Sequence, residues 1–346
     1  MTPRRHSRRS RSRSFWMKSK LSSVLVTGAN GFVGRTVCRA LEAHGHAVTG
    51  LVRRPQACRA GATDWVHQSP NFDGLAEAWP QNLAPNCVVH LAARVHVMND
   101  TADDPDSAFY AANVDGAVRV ARAAHAHGVR RFIYVSSVKA VAEFDDGVPL
   151  GESRSPTPSD PYGRSKLAAE RALWQLRDEL DLEIVVVRPP LVYGPEVGAN
   201  FLRMMNAVWR GVPLPLGAVR AQRSMVYVDN LADALVQCVT KANAANACFH
   251  VCDAEALSVS DLLRALGDAM SRPARLIPVP EALLRWAGAL TGHTAQIERL
   301  TRSLRMDTSH IADTLNWHPP WSVRQGLEAT ARWYLETRTS DAEDSH

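Results

Sequence analysis

The chain has no stretch of about 20 consecutive apolar residues, so no segment of it is expected to cross a bilayer as a helix. It also has no CxxC pair. Cys38, Cys58, Cys87, Cys238, Cys248 and Cys252 are scattered, and the Cys248–Cys252 spacing has no partner Cys/His cluster. That argues against structural zinc or any other metal. Most of the six fall in apolar strand or helix patterns, as reduced, buried thiols do, and a cytoplasmic location is the expectation. No unit recurs at a fixed period, which excludes a solenoid. Acids are missing from residues 1–20, MTPRRHSRRSRSRSFWMKSK, which hold six Arg and two Lys. Removing those eight charges from the formal net charge of +5 leaves −3 for the remainder, so the basicity belongs to the tail. A Ser/Arg-rich stretch with so little to bury reads as a disordered tail over 1–20, and Met17 offers a start just before the first strand. No apolar segment follows the arginines, so a secretory signal is not expected, nor is a nucleic-acid role.

From residue 24 onward, strand and helix patterns alternate. VLVTGA is an apolar run ending in a turn, and RTVCRALEAHG shows helical spacing closed by Gly45. AVTGLVRR and CVVHLAA read as strands, AFYAANVDGAVRVARAAHAHG as one long helix ending at Gly128, and RFIYVSS as a strand. A helix over about 161–180 and the strand EIVVVRPP follow. Short apolar strands separated by helices predict an α/β fold, a Rossmann-type doubly wound parallel sheet covered on both faces over 21–190. After Pro189, Gly- and Pro-rich stretches appear and strands thin out to MVYVDN and CFHVCD. This predicts a smaller C-terminal lobe over 191–340, interleaved with the first domain. LIPVPEALLRWAGALTG reads as a helix packed on its own lobe rather than on a membrane surface, for want of a basic face.

Two constellations carry chemistry. VTGANGFVG places Gly28, Gly31 and Gly34 directly after the first strand and at the start of the first helix. Glycines there permit a tight turn and close approach of backbone to a diphosphate, and the helix N-terminus offers it free N–H groups. In SDPYGRSKLAAE, Tyr162 and Lys166 stand four residues apart, on one helix face. A free tyrosine, with a pKa near 10, handles protons poorly at neutral pH unless a cation such as Lys166 favours its phenolate. Ser137, ending YVSS, is placed to hydrogen-bond a reacting oxygen, with Ser136 as the fallback, since strand alternation points the two serines opposite ways.

The GxxGxxG spacing, with HLAA at 90–93, NVDG at 113–116, YVSS, YGRSK and VRPPLVYGP in that order, resembles the extended short-chain dehydrogenase/reductase family, over about residues 22–337. That family includes UDP-galactose 4-epimerase, sugar-nucleotide dehydratases and 4-keto-sugar reductases. The resemblance implies a nicotinamide cofactor held by Gly28, Asn30, Gly31, Phe32, Val33, Gly34, Ala92, Ala93, Asn113 and Pro189. It gives Lys166 the nicotinamide ribose besides its part in catalysis with Ser137 and Tyr162. The second strand ends in Val52, Arg53 and Arg54 where an acid typically holds the NAD ribose; Arg53 therefore favours NADP(H), with NAD(H) open. In the lobe, the resemblance implies Asn200 and Arg223 as ligands of a substrate diphosphate and Leu214 and Leu216 as neighbours of the nucleobase.

The departures narrow the expectation. Val138 and Lys139 stand where 4,6-dehydratases carry an Asp–Glu pair, Leu191 stands where an asparagine is common, and LTRSLRMD lacks the separated Arg and Asp of some epimerases. The expected activity is NAD(P)H-dependent reduction at C4 of a UDP-linked, N-acetylated 4-keto-6-deoxy sugar in surface-polysaccharide synthesis. A UDP-sugar 4-epimerase with tightly bound NAD is the alternative within the family. A non-catalytic nucleotide-sensing regulator is the alternative outside enzymes. A homodimer through helices 107–127 and 161–180 is implied by resemblance alone.

Overall fold

A computed structural model of the chain describes residues 22–54, 63–95 and 104–343; the basic tail and Cys58 lie outside the described residues. In chain order the elements are β1 (Ser23–Thr27), α1 (Phe32–Ala43), β2 (Ala47–Val52), β3 (Thr63–Val66) and β4 (Cys87–His90). Next come α2 (Pro105–Tyr110), a π-helical turn (Ala111–Asp115), α3 (Gly116–Ala126), β5 (Arg131–Val135), α4 (Pro161–Leu180), β6 (Glu183–Arg188) and β7 (Leu191–Tyr193). The remainder is α5 (Ala199–Trp209), β8 (Gln222–Arg223), β9 (Met225–Tyr227), α6 (Val228–Thr240), β10 (Ala247–His250), β11 (Leu257–Ser258), α7 (Val259–Ala269), α8 (Glu281–Thr291), α9 (Thr294–Thr301), α10 (Ser309–Leu315) and α11 (Val323–Glu343).

Seven strands form one sheet in the order β3-β2-β1-β4-β5-β6-β10, and every pairing in it is parallel. The inner strands β4 and β5 are buried along their whole length, as continuous apolar runs require when helices cover both faces. One face packs on α1, α6 and α10 through Val37, Leu41, Leu231, Leu235 and Ile311; the other packs on α3 and α4 through Val120, Ala124, Leu173 and Leu176. A third core, built around Tyr193, Phe201, Met205, Leu263 and Leu327, belongs to the lobe. β10 and α6 come from the chain beyond residue 191, yet β10 pairs with β6 and α6 covers the sheet. Chain from beyond residue 191 thus supplies both an edge strand and a covering helix of the sheet.

Three segments differ from the sequence reading. β3, TDWV, lies at the sheet edge with a mixed burial pattern that carries no strand signal. The long helix expected over 108–128 is interrupted by the π-helical turn, which turns Asn113 inward. Helix α8 is not packed through its apolar face: of its residues only Leu284 and Gly288 are buried, while Leu283, Trp286 and Leu290 face solvent. Gly288 lets α9 cross closely, since a Cβ there would lie 2.8 Å from the Ile297 side chain, and this narrow contact leaves the other faces uncovered.

Candidate active site

β1 and β4 are neighbours in the sheet although β2 and β3 intervene in the chain, so their C-terminal ends open a crevice at a topological switch point. Gly28 turns the chain there with φ +68°, and a Cβ on it would press within 3.0 Å of the Ala92 nitrogen. A Cβ on Gly34 would stand 2.1 Å from the Gly28 carbonyl oxygen, so no side chain fits. Gly31 caps α1 without a side-chain acceptor and no acid sits in the first turn, which leaves the first N–H groups of the helix, at Phe32 and Val33, open to an anion. Asn30 ties this turn to the end of β2 through the Arg54 carbonyl at 2.9 Å, and its Oδ1 is buried without a partner. The cradle fits the diphosphate of a dinucleotide. Where its adenosine end would lie, Val52 is buried, Arg53 and Arg54 are exposed, and no carboxylate stands among them.

Ala92 and Ala93 follow β4 beside Gly28, with the Ala92 N–H bonded to Thr27 Oγ1 at 3.1 Å. Asn113 is fully buried and bonded. It accepts from the Arg94 N–H at 2.7 Å and donates to the Arg94 carbonyl at 3.0 Å and to Ser165 Oγ at 2.9 Å. The Ser165 hydroxyl in turn donates to the Tyr162 carbonyl at 2.8 Å. Asn113 therefore clamps the segment after β4 onto the first turn of α4.

That first turn carries Tyr162 and, one turn on, Lys166. Asp160 caps it by accepting from the Gly163 N–H at 2.7 Å, and Pro161 opens it. Gly163 has no room for a side chain, because a Cβ would meet the Lys139 carbonyl oxygen at 2.4 Å. The turn after β5 and the start of α4 are thereby in direct contact, which brings Ser137 to Tyr162. The Tyr162 ring packs edge-on against Phe109 at 6.2 Å between centroids. Burial pushes its phenol up to about 12; the hydrogen bond from Ser137 pulls the other way, and the charge of Asp160 adds to the rise. Lys166 is 2% exposed, donates to the Val135 carbonyl at 2.9 Å and lies 4.7 Å from the Tyr134 ring centroid. Burial pushes its ammonium down to about 7, with the Glu170 charge opposing. In this arrangement both groups lean to their neutral forms, and the lysine charge expected to lower the phenol does not govern it.

Behind this wall lies a network that the motifs do not announce. Glu170 and Arg188 form a doubly hydrogen-bonded ion pair, 2.6 Å and 3.0 Å, with side chains 2% and 8% exposed. Ser136 donates to the same Glu170 oxygen that Arg188 Nε reaches, so it is turned away from Ser137 as strand alternation predicts. Glu170 follows Lys166 by four residues on the same helix face, the one signal that pointed to it. Lys139, in the position of the absent acid pair, holds Asp160 at 2.6 Å. Pro189, buried at the end of β6, accepts from the Val138 N–H at 2.9 Å. Among the described residues no cluster of metal-ligating side chains occurs, and no helix is long and apolar enough to cross a membrane.

The lobe residues are differently placed. Asn200 is exposed in the first turn of α5. Leu214 forms a bridge with Leu276, its N–H donating to the Arg275 carbonyl and its carbonyl accepting from Ile277, each at 2.8 Å. The Leu216 carbonyl accepts from Ser260 Oγ at 2.7 Å. Both leucine side chains pack on the lobe core. Arg223 is mostly buried and donates to the last carbonyls of α9 and its cap, Arg299 at 2.9 Å and Arg302 at 3.2 Å. Arg299 reaches back to Glu143 at 2.6 Å, and Arg305 to Asp145 at 3.0 Å, so ion pairs join this end of the lobe to the loop following Ser137. Leu191 is 48% exposed.

The sequence matches the model of the NAD dependent epimerase/dehydratase family over residues 24–252. It is 36% identical over 321 residues to a UDP-glucose 4-epimerase of Vibrio cholerae, covering 91% of this chain and 96% of that protein. It is 24% identical to a GDP-6-deoxy-D-mannose reductase of Pseudomonas aeruginosa, covering 88% and 95%. The fold is similar to the crystal structure of a UDP-glucose 4-epimerase with UDP-glucose from Thermotoga maritima, with a TM-score of 0.74, 23% identity and coverage of 91% and 99%.

Proposed function

Because the chain belongs to the NAD dependent epimerase/dehydratase family, we propose that it moves a hydride and a proton at C4 of a UDP-linked sugar, in the direction of 4-ketone reduction. The observation that carries the chemistry is Tyr162, half-buried beside Ser137, where its phenol can give a proton to a C4 oxygen. The reducing direction rests on Arg53 and Arg54, exposed with no carboxylate among them, which favour use of NADP(H) as a consumed reductant. No carboxylate pair follows Ser137, so elimination of water has neither its acid nor its base.

A bound nicotinamide dinucleotide supplies the hydride. Its diphosphate fits over Gly28–Gly34 and the start of α1, with Ala92, Ala93 and Pro189 lining the crevice, and Arg53 with Arg54 accommodates a 2′-phosphate, which favours NADP(H). Ser137 hydrogen-bonds the C4 oxygen and orients it. Tyr162 gives that oxygen its proton, and the resulting phenolate is stabilised by the Ser137 hydroxyl and by Lys166 in its charged form. Lys166 also reaches the ribose. Asn200 and Arg223 serve the diphosphate of the substrate, beside Leu214 and Leu216 at the nucleobase. A sugar bearing a 4-ketone, a 6-deoxy carbon and an N-acetyl group is the substrate this reading favours.

The likeness to the Vibrio cholerae UDP-glucose 4-epimerase over nearly its full length favours a second reading, epimerisation at C4 with retained NAD. Incubation with UDP-4-keto-6-deoxy-N-acetylglucosamine and NADPH or NADH separates the two. Reduction consumes cofactor in proportion to the 4-hydroxy product; an epimerase interconverts UDP-hexoses with no added cofactor.

A further inference from the structure

Helix α8 is the least covered element of the lobe. Leu283, Trp286 and Leu290, at i, i+3 and i+7 on one stripe, are 51%, 62% and 67% exposed. Ile277 and Val212, 49% and 42% exposed, stand on the segments that adjoin it. Those segments are tied together: Leu214 bridges Leu276, the Gly217 N–H donates to the Ile277 carbonyl at 3.0 Å, and the Arg220 N–H donates to the Glu281 carboxylate at 3.4 Å. Apolar side chains exposed singly are commonplace, but a tryptophan-centred stripe marks a contact surface.

The charge around this stripe is one-sided. Residues 212–220 and 275–290 hold three arginines, Arg220, Arg275 and Arg285, against one acid, Glu281, whereas the chain from residue 21 onward carries −3 overall. All three arginines are exposed. The helix by itself has no basic face, which is why its sequence read as lobe packing. The fold adds Arg220 to its side through the Glu281 contact, and Arg275 from the segment that leads into it. A second copy of this surface would set arginines against arginines. An anionic bilayer complements both features, because tryptophan and leucine enter the headgroup–acyl boundary while guanidiniums meet lipid phosphates.

We propose that α8 and its arginine rim dock this protein peripherally on an anionic membrane surface. None of these residues belongs to the Ser137–Tyr162–Lys166 wall, so docking and chemistry are separable.

The test is co-sedimentation of the full chain with vesicles of phosphatidylcholine alone or mixed with phosphatidylglycerol. Binding is expected only to the anionic vesicles and weakens with salt. Combined Leu283→Ser, Trp286→Ser and Leu290→Ser substitution, on exposed positions, weakens it about tenfold or more while turnover of a UDP-sugar in solution is unchanged. Combined Arg220→Gln, Arg275→Gln and Arg285→Gln substitution weakens it similarly. Failure to sediment with anionic vesicles at low salt overturns the proposal. So does undiminished binding by the α8 variant that disappears on deleting residues 1–16, since the basic tail is then the anchor. A concentration-dependent dimer abolished by the α8 substitutions also overturns it and gives the face to a second copy.

Discussion

The wall built by β5 and α4 and the lobe from α5 to α9 hold their polar groups in opposite ways. On the wall, Lys166 is buried and Tyr162 half-buried, and near neighbours in the chain position them: Asp160 caps the turn, Gly163 admits the Lys139 backbone, and Glu170 lies one turn beyond Lys166. In the lobe, Asn200 is exposed, Leu214 has both backbone groups bonded to the 275–277 segment beside it, and Arg223 holds the end of α9. On the wall the proposed catalytic groups are held by near neighbours in the chain; in the lobe Leu214 and Arg223 are held by segments far along the chain, and Asn200 alone of the proposed substrate residues there is exposed.

The largest effect expected from breaking this contrast is at the wall. Tyr162→Phe keeps the ring against Phe109 and removes the proton, so kcat falls about a thousandfold with little change in KM, measured by single-turnover kinetics. Next is its hidden support. Glu170→Gln leaves Arg188 buried without its counter-charge and costs about 3–5 kcal/mol of stability, read by denaturant unfolding. An exposed pair such as Arg324–Glu328 costs at most about 1 kcal/mol when broken. In the lobe, Arg223→Met loosens the α9 end and removes the proposed diphosphate contact, so KM for the UDP-sugar rises about tenfold while kcat holds. A kcat loss as large as that of the tyrosine variant would erase the distinction between the two regions.

Smaller effects sharpen the same contrast. Lys139→Met exposes Tyr162 to the uncompensated charge of Asp160. Reduction slows about threefold, and Lys139→Arg restores it, because only the charge is at issue. The pH profile has a defined sign. Lys166 must be charged to stabilise the phenolate left by proton donation, and burial brings its pKa down to about 7, so the reduction rate falls as pH rises through that value. Tyr162, held up to about 12, adds no loss of its own near neutrality. A rate that stays level well above neutral pH would place the charge on another group.

How much of this was legible follows the same division. The glycine turn, Ser137, Tyr162 and Lys166 sit at fixed offsets inside single strand–turn–helix units, and local rules carry them from sequence to place. Strand alternation put Ser136 and Ser137 on opposite sides, and the Ser136–Glu170 hydrogen bond tells which side Ser136 takes. The Glu170–Arg188 pair was not, since it joins a helix to a strand through a contact that no spacing encodes, although Glu170 shares the face of Lys166. Arg223 was found as a residue but not in its bonding, which depends on where α9 ends. Helix α8 packs on its own lobe through Leu284 as its pattern predicts, but its exposed stripe and the approach of Arg220 depend on the fold and are not encoded in its own spacing. β10 shows the same limit: its apolar run is plain, but its place beside β6 closes a sheet begun far earlier in the chain.

The central claim is that Tyr162 works as a proton donor to a C4 oxygen as a ketone is reduced. Isotope transfer tests it most directly: 4-deuterated NAD(P)H and UDP-4-keto-6-deoxy-N-acetylglucosamine, followed by mass spectrometry and NMR of the product. One deuterium at C4 for each cofactor oxidised, with loss of the signal in Tyr162→Phe, is the predicted result. Turnover of UDP-hexoses with no net cofactor oxidation and no deuterium taken up would contradict it.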